Sequence, residues 1–451
     1  MLQPISYRDK DGFVLVEDAR VRRYVNNTYA EHYEQFIQSG LYQRLINESL
    51  LIPHQEESEP NPSGDFYKIL EPEYIPFISY PYEWTISQWK EMAILTLQIN
   101  KIAMEYGMIL KDASPFNITF VKGRPIFFDT LSFEKYQEAS PWIAYRQFCE
   151  SILAPIALMC FNDTDWGKMM ISNLNGWNLK FISKNLPLKT WFKSSTLLHI
   201  HLHALSNNKR KEVENNHGMS KEKLTLLWTM MESSIKDWKI KKDSKIWGNY
   251  YDETISSNEY LKNKTALFTS WMQEIKPIQV IDLGANSGHF SKIAAAYSQS
   301  VIAVESDMDC LEQLRSDLKI SGIKNIETVL ADLVQPSPAI GWANQERSSL
   351  LNRLQSDTLM ALALIHHLCI GNNVPFQLLA AQFAILTNKY AIVEFVPTTD
   401  NRVKELLANR KDIFTDYNET HFEECFEKYF QLIKIEVCVP TNRKLYLWEK
   451  I

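Results

Sequence analysis

The sequence predicts an α/β protein of two main parts, with a mostly parallel sheet covered by helices on both faces in the C-terminal part. The chain has 451 residues, and single hydrophobic cores rarely grow beyond about 250–300 residues. From Ile278 onward, strand-like and helix-like segments alternate, which is typical of a doubly wound parallel sheet. Two strand-like runs, residues 431–437 and 444–448, end the chain and are predicted to form an antiparallel hairpin at the sheet edge.

The order of the alternating segments carries this prediction. Apolar runs with strand character alternate with amphipathic runs of helical spacing. The predicted strands are residues 278–283, 301–305, 326–330, 358–364 and 390–395, and the predicted helices are residues 291–297, 309–320 and 376–386.

The N-terminal part has a different, α+β pattern. Residues 12–16 and 21–25 have strand character and are separated by the turn-like Glu17 and Asp18, which predicts a hairpin. Residues 30–49 then show helical spacing of apolar side chains.

Three segments are therefore expected along the chain. They are an N-terminal domain over residues 1–186, a mostly helical connector over residues 187–244, and a C-terminal domain over residues 245–451. The charged and amide-rich residues 207–216 are predicted to form a loop or linker inside the connector.

Composition excludes several classes of protein. The net charge is −6 with both signs interspersed, so the basic stripe of a nucleic-acid-binding surface is not expected. The longest apolar runs are too short to span a bilayer, which predicts a cytoplasmic protein with no membrane span. The 6 cysteines form no C-x-x-C pair, so neither a disulfide framework nor a zinc knuckle is indicated.

A ligand site is predicted where the first strand of the C-terminal domain ends. The strand carries Asp282 and runs into a turn containing Gly284, Ala285, Asn286 and Gly288, after which a helix begins. Glycines at these positions allow the backbone to approach a ligand closely.

Acidic residues at the ends of the next two strands extend this site. Glu305 ends the second strand, from which a carboxylate can accept hydrogen bonds from both ribose hydroxyls of a nucleoside. Asp332 follows the third strand, where an acid can reach an adenine edge. Because the carboxyl ends of parallel strands meet at one edge, these residues are expected to share a crevice.

Together these motifs resemble the class I S-adenosylmethionine-dependent methyltransferases, including the hairpin with which that family closes its Rossmann-like seven-stranded sheet. The resemblance covers about 200 residues and implies S-adenosyl-L-methionine as the methyl donor. It assigns Asp282 and the turn residues 284–288 to the amino-acid part of the donor, Glu305 to the ribose and Asp332 to the adenine. The alternative is an NAD-binding fold. The dinucleotide motif of that fold has a third glycine that is missing here, which argues against it.

His366 and His367, predicted to follow the fourth strand, are the candidates for a catalytic base. The donor is already activated, so an enzyme mainly aligns the acceptor and removes its proton. In the alternative interpretation, the two histidines line the donor pocket without transferring a proton. Glu394 is likewise either a catalytic base or a residue that transfers no proton. The expected acceptor is the O or N atom of a small molecule or a glycan-like compound.

The N-terminal domain contains a second constellation. Asp112 and Asn117 have the spacing D-x-x-x-x-N, and Asp129 ends a short predicted hairpin. This is similar to the catalytic loop and metal-binding aspartate of protein kinases and aminoglycoside phosphotransferases, which implies Mg-ATP as a second ligand.

Departures from the kinase pattern leave an alternative open. The glycine-rich phosphate loop is missing, Arg22 or Arg23 has to replace the usual lysine, and Thr130 and Leu131 replace Phe-Gly. A kinase-like scaffold that only presents substrate is the other interpretation. The second function hypothesis is therefore a kinase-like nucleotide-binding module, phosphotransferase or pseudokinase, fused to a donor-binding regulatory domain.

Nearly the full chain resembles the family of host-specific nodulation proteins. Residues 75–84, 110–117 and 141–148, placed ahead of the methyltransferase motifs, carry this resemblance. It implies methyl transfer, with a glycan or lipo-oligosaccharide as one possible class of acceptor.

His199, His201 and His203 form one more cluster, on one face of a strand or partly on one face of a helix. With no cysteine or acid nearby to complete a ligand set, we expect hydrogen-bonded histidines at a domain contact, and no metal.

Overall fold

The computed structural model describes residues 9–17, 20–57, 64–206, 219–240, 258–408 and 416–451. The chain divides into two compact units. The first consists of Met1–Asp243 with Ala339–Ser348, and the second of Ser244–Pro338 with Ser349–Ile451. The three-segment division expected above stays a prediction, and its loop at residues 207–216 lies outside the described residues.

The first unit contains a four-stranded antiparallel sheet in the order β1-β2-β4-β3. Its strands are β1 (Gly12–Glu17), β2 (Arg20–Val25), β3 (His54–Glu56) and β4 (Lys68–Pro72). The predicted hairpin is confirmed, because Gly12 pairs with Val25 and Glu17 with Arg20. Asp18 of the predicted turn lies outside the described residues.

Two antiparallel strand pairs follow that sheet. They are formed by β5 (Met108–Leu110) with β8 (Phe133–Lys135), and by β6 (Ile118–Val121) with β7 (Arg124–Phe127).

Helices make up most of the rest of the first unit. The α-helices are α1 (Ala30–Gln38), α2 (Leu41–Asn47), α3 (Ile86–Glu105), α4 (Tyr145–Phe148), α5 (Ala154–Phe161), α6 (Leu179–Asn185), α7 (Ser194–Thr196), α8 (His203–Ser206) and α9 (Lys221–Asp237). Short 3₁₀ helices lie at Asn27–Tyr29, Pro81–Glu83, Pro115–Asn117, Thr130–Ser132, Thr164–Ser172 and Leu188–Phe192, and π-helical turns at Cys149–Leu153 and Leu197–Leu202.

The helix predicted over residues 30–49 is in fact two helices. The break is at Gly40, which has φ 87° and precedes α2. Only glycine adopts this left-handed conformation without strain, so the chain turns there and the apolar spacing continues on a new axis.

The second unit is built on a seven-stranded sheet in the order β11-β10-β9-β12-β13-β15-β14. The strands are β9 (Gln279–Leu283), β10 (Ser300–Glu305), β11 (Ile326–Leu330), β12 (Ser356–Ala361), β13 (Thr387–Phe395), β14 (Phe430–Val437) and β15 (Lys444–Lys450). The first five are parallel, and β15 is antiparallel to both β13 and β14. The predicted seven-stranded sheet and its terminal antiparallel hairpin are thus confirmed.

Helices connect these strands. They are α10 (Asn258–Ile275), α11 (His289–Ala295), α12 (Met308–Ser321), α13 (Leu350–Arg353), α14 (Phe376–Leu386), α15 (Asn401–Leu407) and α16 (Glu419–Phe426), with a 3₁₀ turn at Trp342–Asn344, which belongs to the first unit, and a π-helical turn at His367–Gly371. The fourth strand is shorter than predicted, since β12 ends at Ala361 rather than Leu364. The chain leaves it through Ala363, whose φ of 52° is left-handed.

The sequence indicates the sheet clearly because the side chains of its central strands are apolar and buried. Val280, Ile281, Ala303 and Val304 are all buried, as expected for parallel strands covered on both faces. The six cysteines are buried and none is in a disulfide. Among the described residues, no helix is long and apolar enough to cross a membrane.

Candidate functional site

A cavity of about 230 Å³ lies at the carboxyl edge of the sheet in the second unit. It is bordered by the residues that follow strands β9, β10, β11 and β12. Open parallel sheets bind ligands at this edge, because the connecting loops diverge there and leave a crevice. The lining residues are Gly284, Asn286, Val304, Glu305, Ser306, Asp307, Ala331, Asp332, Leu333, Val334, Leu362, Ala363, Leu364, His367, Leu368 and Asn372.

The turn after β9 has the tight geometry that its glycines predict. Gly284, Asn286 and Gly288 all have left-handed φ, of 76°, 51° and 76°. The backbone nitrogens of Gly284 and Ala285 both donate to the carbonyl of Val304, at 2.9 and 3.0 Å. This pairing fixes the turn against β10 and presents Gly284 and Asn286 to the cavity.

Gly288 serves packing rather than the cavity. A Cβ built on Gly288 would lie 2.3 Å from the Cδ1 atom of Leu314, and at Gly284 the corresponding distance to Leu364 Cδ1 is 3.0 Å. Gly288 and Ala285 are not among the residues that line the cavity.

Glu305 joins the two sides of the cavity. Its Oε2 atom accepts a hydrogen bond from the backbone nitrogen of Asn286 at 2.8 Å. Its Oε1 atom accepts from the backbone nitrogens of Ser306 and Asp307, at 2.6 and 2.9 Å. The carboxylate is thereby held in one orientation, at the strand end where a ribose acceptor was predicted.

Asp332 is exposed at the next strand end. Its Oδ1 atom accepts from the backbone nitrogen of Val334 at 2.8 Å, and both residues line the cavity. The structure therefore brings together Gly284, Asn286, Glu305 and Asp332, as the positions of the strand ends predicted.

Asp282 lies beneath the cavity rather than in it. The carboxyl group is buried and accepts a hydrogen bond from the hydroxyl of Ser291. Burial raises the pKa of Asp282 to about 7, and the nearby charge of Glu305 adds to the rise, against the lowering effects of Ser291 and Lys264. Near neutral pH this carboxyl is thus poised between its two protonation states.

We expect this pKa to make the stability of the ligand-free second unit depend on pH. An unfolded aspartate titrates near pKa 3.9, whereas folded Asp282 titrates at about 7. A raised folded pKa contributes stability that is present below the unfolded value and lost as pH rises through the folded value.

The unfolding free energy of the wild-type chain should therefore fall between about pH 4 and pH 7, relative to Asp282→Asn, which does not titrate. Urea denaturation of both proteins at several pH values measures the difference. Two curves that stay parallel over this interval would contradict the assignment.

The two candidate histidines occupy different environments. His367 lines the cavity, whereas His366 has no exposed surface and does not line it. Within the described part of the chain, neither ring nitrogen of His366 has a hydrogen-bond partner. Burial lowers the pKa of His367, and Arg402 and Arg443 lower it further, so its imidazole is neutral near pH 7 and able to accept a proton.

Glu394 belongs to a buried ionic cluster at the end of β13. The hydroxyl of Tyr260 and the ammonium of Lys264, both on α10, donate to its carboxylate, and Arg443 Nη1 lies 3.8 Å away. Arg443 also forms two hydrogen bonds with Asp400, at 2.8 and 3.1 Å.

The cations of this cluster decide the charge of Glu394. Burial opposes its ionisation, but Lys264 and Arg443 lower the pKa of the carboxyl. Glu394 is therefore a bound carboxylate that holds α10 to the sheet, and it does not line the cavity. The partners Tyr260 and Lys264 carried no signal in the sequence, because each lies more than a hundred residues before Glu394.

The first unit brings part of the second constellation together. Arg23 Nη2 lies 2.5 Å from Asp129 Oδ1, and the hydroxyl of Ser132 bridges Asp129 and Asn117. Asp112 instead accepts hydrogen bonds from the side chain of Gln147 and the backbone of Ser114.

Among the described residues, no group of three His, Cys, Asp or Glu side chains is arranged to hold a metal ion. Arg23 already pairs with Asp129 and also with Asp9, at 2.5 and 2.8 Å, so it occupies the position at which Asp129 would bind a magnesium ion. The kinase-like character of this unit and its Mg-ATP ligand stay predictions.

The three clustered histidines lie on a helix rather than a strand. His199 Nδ1 is 2.7 Å from the hydroxyl of Tyr145. His201 contacts the hydroxyls of Ser183 and Thr190 at 2.7 and 2.9 Å, and His203 stacks on the ring of Tyr145.

Comparison with known proteins shows similarity over nearly the whole length to a nodulation protein. The nodulation protein NoeA of Rhizobium meliloti (strain 1021) is 28% identical over 460 aligned residues, covering 99% of this chain and 95% of NoeA. The 23S rRNA (uracil(1939)-C(5))-methyltransferase RlmD of Marinomonas posidonica is 29% identical over 146 residues, covering 31% of this chain and 33% of RlmD.

Among solved structures, the N-methyltransferase NodS from Bradyrhizobium japonicum WM9 is similar to 44% of this chain over 99% of its own length. The sequence identity is 8% and the TM-score 0.33. No protein-family model matches the chain.

Proposed function

We propose that the second unit binds S-adenosylmethionine and transfers its methyl group to an O or N atom of a small-molecule or glycan-like acceptor. The observation that carries the proposal is the single cavity in which Gly284, Asn286, Glu305, Asp332 and His367 meet at the carboxyl edge of the sheet. The partial sequence likeness to RlmD, which by its name methylates a carbon atom, supports methyl transfer and does not bear on the choice of an O or N acceptor.

The residues present fit such a donor. Glu305 offers a fixed carboxylate for two ribose hydroxyls, and Asp332 offers an acceptor for the adenine amino group. Gly284 is suited to its place in the lining, because its φ is left-handed and a Cβ there would lie 3.0 Å from Cδ1 of Leu364. A bound donor supplies a methyl group already activated by a positively charged sulfur.

His367 then has the task of taking the proton of the acceptor. The acceptor atom forms a bond to the methyl carbon, the bond between that carbon and sulfur breaks, and the proton of the acceptor passes to the neutral imidazole. General bases of this kind contribute roughly 10²- to 10⁴-fold to rate. His366 is not suited to this role, because it is buried and does not line the cavity.

Replacing His367 by alanine is expected to lower turnover by about 10²-fold or more while changing donor affinity by less than about threefold. The measurement is transfer of label from methyl-labelled donor to a pool of small metabolites and oligosaccharides. His421→Ala is the matched control, because His421 hydrogen-bonds to Gln377 and does not line the cavity.

The opposite pattern would contradict the role of His367 as base. If His367→Ala weakens donor binding but keeps the full rate at saturating donor, then His367 only lines the pocket. If the wild-type chain labels nothing while binding the donor, methyl transfer itself is in question.

A further inference from the structure

Positive charge is concentrated in one part of the first unit. Residues 166–206 contain the lysines Lys168, Lys180, Lys184, Lys189 and Lys193, and no aspartate, glutamate or arginine. Lys168 forms an ion pair with Asp165, just before this segment, so the positive charge of interest is that of the later lysines. The chain as a whole has a net charge of −6, so the positive charge of this segment is opposite in sign to the net charge of the protein. A local excess of lysine on an acidic protein indicates a surface for a negatively charged partner.

Large apolar side chains are exposed beside these lysines. Leu188 and Phe192, on the short helix Leu188–Phe192, are 80% and 90% exposed. Lys189 and Lys193 directly follow them in the sequence and are also exposed. We call Lys184, Leu188, Lys189, Phe192 and Lys193 the basic apolar tip.

The helical segment that follows adds further exposed leucines. Leu198, Leu202 and Leu205 are 50%, 45% and 58% exposed, and their spacing of four and three residues places them on one helix face. Several exposed leucines on one helix face are unusual on a surface that contacts only water.

Two of the three lysines of the tip also line a cleft of about 470 Å³ in the same unit. Lys189, Lys193 and Lys239 line this cleft together with the aromatic side chains Phe161 and Trp238. The ammonium of Lys193 lies 5.4 Å from the centre of the Phe161 ring. Asp237 is the acidic residue of the lining, and the remaining members are Cys160 and Ile240. Three ammonium groups against one carboxylate suit a phosphate-bearing group.

We propose that the basic apolar tip docks this protein on the surface of an anionic lipid bilayer. Leu188 and Phe192 insert among the acyl chains near the headgroups, while the lysines bind lipid phosphates and one headgroup occupies the cleft. This mode of binding lies on the membrane without spanning it. It does not depend on methyl transfer, because none of these residues belongs to the second unit.

The composition of the tip favours lipid over the other negatively charged partners. Nucleic-acid surfaces make wide use of arginine for bidentate phosphate contacts, and residues 166–206 contain none. Of the five exposed apolar side chains named above, the leucines Leu188, Leu198, Leu202 and Leu205 offer no ring on which a base can stack, and Phe192 is the one that does. A symmetric contact with a second copy would set the same lysines against one another, which is electrostatically unfavourable.

Co-sedimentation of the full chain with lipid vesicles tests the proposal. We expect binding to phosphatidylcholine vesicles that contain phosphatidylglycerol, little binding to pure phosphatidylcholine, and weaker binding at high salt. Lys189→Gln with Lys193→Gln should reduce binding about tenfold or more, and Leu188→Ala with Phe192→Ala by about tenfold.

Matched controls lie in the second unit. Lys319→Gln with Lys324→Gln removes two charges elsewhere, and Ile320→Ala removes a side chain that is 85% exposed. Both should bind vesicles as the wild type does, and circular dichroism shows that each variant is folded. Equal binding to neutral and anionic vesicles, unchanged binding by the tip variants, a preference for RNA over vesicles, or dimerisation lost in the tip variants would each overturn the proposal.

Discussion

Replacing Glu394 by alanine is expected to lower the unfolding free energy of the second unit by about 3–5 kcal/mol. The substitution removes the carboxylate that receives Tyr260 and Lys264, and leaves the Lys264 ammonium, 3% exposed, without its counter-ion. An unpaired buried charge is costly because neither water nor protein solvates it. Arg443 keeps Asp400 as a partner, so the main loss falls on Lys264.

Hydrogen exchange followed by mass spectrometry measures this loss separately from the first unit, through peptides of β9 to β13. The matched control is the double variant Lys264→Met with Glu394→Leu, which removes both charges. We expect the double variant to be at least about 1 kcal/mol more stable than Glu394→Ala, because an apolar pair of similar volume replaces the ion pair. A double variant that is no more stable than Glu394→Ala would contradict the ion-pair account.

Replacing Glu305 by alanine is expected to weaken donor binding by about 100-fold. Two hydrogen bonds from ribose hydroxyls to a carboxylate, at about 1.5 kcal/mol each, account for a change of this size. The substitution also removes the contact between the carboxylate and the backbone of Asn286, which holds the turn after β9 in place. Isothermal titration with S-adenosylmethionine measures the affinity.

Two controls separate the contributions to that loss. Glu427→Ala, an exposed acid in the same unit, should bind the donor as the wild type does. Glu305→Gln keeps one oxygen acceptor and should fall between the wild type and Glu305→Ala. If Glu305→Ala binds the donor with wild-type affinity, this carboxylate does not hold the ribose.

Much of the second unit could be predicted from the sequence because its strands are buried on both faces. An apolar run that ends in an acid or glycine marks a strand end, and parallel strand ends share one edge. That rule is sufficient to bring Gly284, Glu305 and Asp332 to one edge of the sheet, and all three line the cavity there. Asn286, which has a left-handed φ, lies in the turn that follows the first of these strands.

Local backbone geometry and long-range partners were not predictable. His367 lines the cavity and His366 does not, and the chain reaches them through the left-handed Ala363, a conformation that alanine does not signal. From the sequence, Glu394 could be read either as a catalytic base or as a residue without a role in proton transfer. Its ion-pair partner Lys264, which decides the matter, precedes it by 130 residues. Side-chain pairs so far apart in the chain leave no periodicity to detect.

The measurement that tests the central claim most directly is isothermal titration of the wild-type chain with S-adenosylmethionine, S-adenosylhomocysteine and NAD. The cavity bounded by Gly284, Glu305 and Asp332 predicts that the methyl donor and its product bind with micromolar affinity and that NAD does not. Binding of NAD in preference to the donor, or binding of none of the three, would contradict the assignment of the second unit as a methyltransferase.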